Sequence, residues 1–219
     1  MWFIYILLVG NVLSLGTVRV ITNQEIYYKY LKDDKIKVVI SVGSAGTGKT
    51  IGACKVGVNS LKDKILITRP TISVDEDIGY LPGNINKKMS PWLKPITDIL
   101  KDFNINKNYV EISPLGFMRG RTFSNYFIIA DEMQNSTPNQ MLMLLTRMGE
   151  GSKLVITGDL DQSDNTENGL KDLLNRLEIF YDEEDEMNRD GIAVVRFTNY
   201  DIKRSYIVKK IIRIYDNNF

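Results

Sequence analysis

The run from Val38 to Thr50, VVISVGSAGTGKT, narrows the possible folds more than any other part of the chain. Its core, Gly43, Ser44, Ala45, Gly46, Thr47, Gly48, Lys49 and Thr50, fits the phosphate-loop pattern G-x-x-x-x-G-K-[ST]. A β-branched stretch at 35–42 precedes it, and the residues from Thr50 onward can propagate as a helix. In that order the loop's backbone N–H groups and the helix N-terminus can face the β- and γ-phosphates of a nucleotide, and the glycines let the backbone approach. Lys49 supplies a cation, and the Thr50 hydroxyl is a candidate Mg²⁺ ligand, since that metal takes oxygen ligands shared with phosphate.

Further elements follow the same alternation. Thr22 to Glu25 has the form of a helix-capping box, with Ile26, Tyr27, Tyr30 and Leu31 at helical spacing, which predicts a helix over about 23–32. Apolar runs at 65–68, 109–112, 126–130, 153–157 and 192–197 read as strands. Residues 69–90 read as irregular, and Ser90-Pro91 opens a helix through about Phe103. Thr137 to Gln140 is a second capping box with a proline in the first turn, opening a helix to about Met148. Helices over 167–179 and 205–215 complete the reading, and the acidic run 182–186 reads as a solvated loop. Continuous apolar strands alternating with helices imply an α/β fold: a mainly parallel sheet covered by helices on both faces, in a single domain.

Two strand ends carry acids. Phe127 to Ala130 delivers Asp131 and Glu132 at its C-terminal end, the rim where open α/β sheets bind ligands. There Asp131 can orient Mg²⁺ and Glu132 can polarise a water for in-line attack on a γ-phosphate. At the end of the 153–157 strand stands Gln162, able to reach the γ-phosphate or the attacking water. The chain has no histidine, so carboxylates must do any proton transfer. A small-molecule kinase has no use for a water base, and an arginine-rich lid of the kinase type is not evident.

At these residues the chain resembles a known family. The blocks GSAGTGKT, TRP at 68–70, IGYLPGNINKKMSPWLKPITDIL at 78–100, PLGFMRGRTFSNYFIIADEMQNSTPNQMLMLLTRMGEGSKLVITGDLDQSD at 114–164 and NGL at 168–170 look like the PhoH-like family, P-loop ATPases related to the nucleotide-binding half of superfamily-one helicases. The resemblance covers roughly residues 20–216 and implies a RecA/helicase-like domain over 20–219. It implies that Lys49 and Thr50 hold phosphate and Mg²⁺, that Asp131 is the metal-side acid and Glu132 the catalytic base, and that Gln162 senses the γ-phosphate. Gln24 matches a family glutamine that would read adenine, making the nucleotide ATP. Arg119, Arg121 and Arg204 match family arginines, one of which completes a neighbour's active site; which one is left open here. Arg69 matches the position where related helicases approach the nucleic-acid backbone. The family implies an oligomeric ring, with six subunits as one size, acting on single-stranded RNA and less readily on DNA. Ser205 stands where the family usually has a histidine.

The charge balance, 28 Lys plus Arg against 27 Asp plus Glu, predicts no overall attraction to nucleic acid or membranes, so any such site is a local patch. Arg196 to Arg213 holds six basic residues against Asp201, which reads either as that patch or as an ordinary solvated helix face. The single cysteine, Cys54, favours a reducing compartment, and the expected location is cytoplasmic. Residues 1–19 carry a hydrophobic run up to Val18 that reads either as an extension packed on the domain or as a membrane-directed segment. The reading is therefore an Mg²⁺-dependent ATPase, with a nucleotide-gated scaffold as the alternative from another class.

Overall fold

A computed structural model of the chain describes residues 21–70, 98–99, 107–163, 167–203 and 205–215. The hydrophobic segment 1–19, nearly all of the helix expected over Ser90 to Phe103, and Arg204 lie outside them. The apolar runs become six strands, β1 (Val38–Val42), β2 (Lys64–Thr68), β3 (Val110–Ile112), β4 (Tyr126–Ala130), β5 (Lys153–Gly158) and β6 (Ile192–Arg196). They lie in one sheet in the order β3-β2-β4-β5-β1-β6, and every pair is parallel. The helices are α1 (Asn23–Lys32), α2 (Lys49–Val58), α3 (Pro138–Leu145), α4 (Gly169–Phe180), α5 (Glu184–Arg189) and α6 (Tyr206–Tyr215).

Strand residues alternate between two buried layers, which is why the strands read as unbroken apolar runs. Val39, Ile65, Ile67, Phe127, Ile129 and Val155 pack with Tyr27 and Leu31 of α1 and with Ala53 and Cys54 of α2. Leu66, Ile128, Ala130, Leu154 and Ile156 pack on the other face with Met141 and Leu144 of α3 and Leu170 and Leu174 of α4. Each fully buried aliphatic side chain contributes about 1.5–3 kcal/mol, so the two layers are the main source of stability. Close contact sets one helix residue: a Cβ on Gly57 would lie 2.8 Å from the Phe127 ring. A glycine inside a helix costs about 1 kcal/mol, and here it lets α2 settle against β4.

Both capping boxes form as the sequence predicts, at Thr22 with Glu25 and at Thr137 with Gln140. The acidic run differs from expectation. Instead of a loop throughout, residues from Glu184 enter the short helix α5, pinned by the buried Met187. Three acids in its first turn, Glu184, Asp185 and Glu186, suit the positive end of the helix dipole.

Register fixes where the chemistry gathers. Val42 lies level with Gly158, and Ala130 with Ile156, so β1, β5 and β4 end on one rim. The glycine loop and the two acid-bearing turns therefore emerge side by side, with β5 standing between the loop strand and the Asp131 strand.

Candidate functional site

The loop is built by backbone shape. Gly43, Gly46 and Gly48 have φ of 140°, 83° and 90°, values that favour glycine. At Gly43 a Cβ would also lie 2.5 Å from the Phe197 carbonyl oxygen, so the chain leaving β6 could not sit where it does. The arm that follows β6 braces the loop from outside: the Lys203 N–H donates to the Gly46 carbonyl at 2.9 Å, and Ser44 Oγ donates to Asn199 Oδ1 at 3.2 Å. Gln24, from α1, donates its Nε2 to the Thr47 carbonyl at 3.0 Å, bringing its carboxamide against the loop.

Lys49 opens α2 and folds back over the loop. Its Nζ donates to the Gly43 carbonyl, to the Ser44 carbonyl at 3.0 Å and to Thr47 Oγ1 at 3.4 Å. Burial pushes its pKa down, and Asp159, Glu132 and Asp131 act against that push. Lys49 is thus a desolvated cation ringed by acids.

Asp131 lies at the centre. It is 1% exposed and is held by Thr50 Oγ1 at 2.7 Å, by the Thr157 hydroxyl, and by Arg69, whose Nε approaches at 2.9 Å and whose Nη2 completes an ion pair. Thr50 and Asp131, the two residues expected to hold Mg²⁺, are in direct contact. Both ligands are oxygens, in keeping with a hard divalent cation, and Thr50 sits in the first turn of the helix that the phosphate loop opens. Among the described residues there is no cluster of three or more His, Cys, Asp or Glu side chains able to hold a metal, so any Mg²⁺ would also need oxygens from phosphate or water.

The next residue turns sharply. Glu132 has φ 57° and ψ 38°, a left-handed conformation costing a non-glycine residue about 1–2 kcal/mol. Such strain persists only where the surroundings over-determine it. Here the constraint is Gln134, 1% exposed, whose Nε2 donates to Glu132 Oε2 at 2.7 Å. Its Oε1 accepts from the Asp159 N–H at 3.1 Å, and Ser163 Oγ donates to its carbonyl at 3.2 Å. One buried amide therefore ties the turn after β4 to the turn after β5.

Asp159 is 5% exposed, and burial pushes its pKa up; N–H groups of Asp161 and Ala45 and the charge of Lys49 oppose that. Gln162 closes the short turn that Asp159 caps, and its side chain is exposed at the rim. The structure therefore brings Lys49, Thr50, Asp131, Glu132 and the Gln162 turn to one edge, with Gln24 bonded to the loop at Thr47. The other arginines diverge. Arg121 is engaged within its own chain, paired with Glu111 at 2.6 Å and stacked 4.5 Å over the Phe123 ring, while Arg119 stands exposed at the end of the turn Leu115–Met118. Arg196 is paired with Glu178 at 2.5 Å, which removes one base from the C-terminal basic run.

Sequence reasoning did not single out Gln134, Thr157 and Asp159 as site residues. The available signal was spacing: Gln134 falls two residues past the acid pair, and Thr157 and Asp159 flank the glycine that ends β5.

Strand, glycine loop and helix, with acids on the neighbouring strand ends, define a P-loop nucleoside-triphosphate-binding α/β domain. The family model "PhoH-like protein" matches residues 18–216, and the chain belongs to the PhoH-like family. It is 39% identical over 197 residues to a PhoH-like protein of Bacillus subtilis, across 82% of this chain and 58% of that protein. To the protein PhoH of Escherichia coli it is 36% identical over 233 residues, across 94% and 63%. The chain thus spans about three-fifths of the length of these relatives. Among solved structures it is similar to a Pif1 helicase from a forked-DNA unwinding complex, at TM-score 0.43 and 15% identity over 91% of this chain and 48% of that one. A Bacteroides Pif1 bound to ADP-AlF4 gives 0.40 and 16% over 89% and 45%. Among the described residues no helix is long and apolar enough to cross a membrane.

Proposed function

We propose that the protein is a cytoplasmic, Mg²⁺-dependent ATPase whose hydrolysis is coupled to binding or unwinding single-stranded RNA, and less readily DNA, in an oligomeric ring. The observation that carries the catalytic part is Glu132, turned into a strained left-handed conformation beside Asp131 and clamped by Gln134. A solvated acidic turn has no need of such a clamp, whereas a base must be held within reach of the proton it takes.

In this reading the loop amides and Lys49 bind the β- and γ-phosphates, and the exchange costs Lys49 little because its present partners are carbonyls of its own loop. Thr50 and Asp131 would hold Mg²⁺, which when bound neutralises charge on the phosphate oxygens. Glu132 accepts the proton of a water as its oxygen attacks the γ-phosphorus and the bond to the β-phosphate oxygen breaks, releasing ADP and phosphate. Gln162, on the turn joined to Gln134, follows the γ-phosphate. Gln24 uses its amide donor on Thr47, leaving its oxygen to accept from an adenine amino group.

The ring is supported by how the family-matching arginines divide among the described residues. Arg121 is engaged at home, so Arg119, exposed at the end of its turn, is the described arginine best placed to reach a neighbour's nucleotide. Arginines acting this way accelerate hydrolysis about 10³-fold or more. A contact with nucleic-acid phosphates is supported by the residual basic run of 203–213, with Arg196 already paired. Steady-state ATP hydrolysis with and without single-stranded RNA, beside DNA of equal length, tests the coupling. RNA-stimulated turnover is expected; turnover indifferent to both polymers contradicts the coupling and leaves a nucleotide-gated binding protein.

A further inference from the structure

The carboxylate of Asp131 is bonded on both oxygens. Oδ1 accepts from Thr50 and Thr157, and Oδ2 is covered by the Arg69 guanidinium through Nε and Nη2. Asp131 is 1% exposed and Arg69 17%, so water screens the pair poorly, and a carboxylate so buried needs a cation against it. Thr50 and Asp131 are also the pair read above as the Mg²⁺ ligands. Two cations on one buried carboxylate repel each other, so one must yield at least part of the contact.

We propose that Arg69 is the exchangeable counter-cation of this site: it neutralises Asp131 while no metal is held there and withdraws from Oδ2 when nucleotide and Mg²⁺ load. This inference rests on the reading of Thr50 and Asp131 as metal ligands. Arg69 follows directly on β2, and its carbonyl accepts from the Leu115 N–H at 3.3 Å. Leu115 begins the turn that ends at Arg119. That bond joins the backbone of Arg69 to the segment bearing Arg119, the arginine assigned above to the contact with a neighbouring subunit.

A static buttress makes the opposite prediction. If Arg69 only holds Asp131 in place, removing it weakens metal-dependent binding most. If it is exchangeable, removing it leaves an uncompensated carboxylate near the phosphates, which weakens metal-free binding, and removes the competitor, which strengthens metal-dependent binding.

The test is the affinity of the full chain for a fluorescent ADP analogue in excess Mg²⁺ and in EDTA, for the wild type, Arg69→Gln and Arg69→Lys. Exchange predicts that the dissociation constant in EDTA divided by that in Mg²⁺ rises about fivefold or more in Arg69→Gln, a typical coupling between linked sites, with Arg69→Lys between. An unchanged or smaller ratio overturns the inference. Failure of the wild type to bind the analogue in Mg²⁺ would instead overturn the nucleotide reading itself. Should Arg69→Gln not fold, the Nε–H NMR signal of Arg69 in the wild type decides: a shift on adding ADP with Mg²⁺ but not ADP with EDTA supports exchange, and an unmoved signal contradicts it.

Discussion

Two lysines of this chain are buried to a similar degree and, under the proposed function, have opposite roles. Lys49 is 9% exposed and Lys153 is 4% exposed, and each ammonium donates to three oxygens. Burial pushes both pKa values down, that of Lys153 to about 8 against the pull of Asp34 and Asp33. The partners differ. Lys49 bonds atoms within six residues of itself, on a loop shaped by positive-φ glycines at the sheet rim. Lys153, at the opposite end of its strand, bonds the carbonyls of Tyr30, Leu31 and Asp33 at 2.8–2.9 Å, clasping the C-terminal end of α1 across more than a hundred residues of sequence. Desolvation alone does not make a lysine functional. What separates the two is whether the partners are local and can be traded for a ligand, or are remote and fasten one element to another.

Substitutions at the two sites should therefore separate binding from stability. Lys49→Ala should weaken ATP binding by about 2–5 kcal/mol, the usual cost of removing one member of a buried charged contact, while its melting temperature stays level or rises. A large loss of stability in that variant would erase the contrast. Gln134→Ala, which frees Glu132 without removing it, should lower kcat by about 10–100-fold with little change in nucleotide affinity, since misplacement of a reacting group by about 1 Å has effects of this size. Chemical denaturation of Lys153→Met should register a loss of about 1–3 kcal/mol, the cost of leaving a buried carbonyl at the end of α1 without its donor, with ATP affinity within about twofold of wild type. Smallest of all, Arg121→Ala should change stability by about 1 kcal/mol or less, because its pair with Glu111 is exposed to solvent, and should leave turnover per subunit intact. A turnover defect there would shift the trans role away from Arg119.

The same distinction explains what could be read from the sequence. The phosphate loop, its lysine and threonine, the strand ending in Asp131 and Glu132, and both capping boxes are local patterns, each with its meaning inside a dozen residues. Contacts made across the fold were not legible. Nothing near Lys153 announces that it clasps α1, and nothing near Thr157 announces its bond to Asp131, because those partners meet only after β5 takes its place between β1 and β4. Gln134 lies between these cases: it stands in the DEMQN segment beside the acid pair, but the tie it makes between two turns depends on Asp159, 25 residues away. The acidic run misled for a related reason. Its charges suggested a loop, and the one apolar residue that anchors α5, Met187, follows just after it.

The most direct measurement is ATP turnover and ATP affinity in Glu132→Gln beside the wild type, with Mg²⁺ present. The predicted result is a fall in kcat of about 10²–10⁴-fold with affinity retained, the cost of losing a positioned general base. Turnover in Glu132→Gln close to that of the wild type would contradict the central claim, that the strained residue held by Gln134 activates the attacking water.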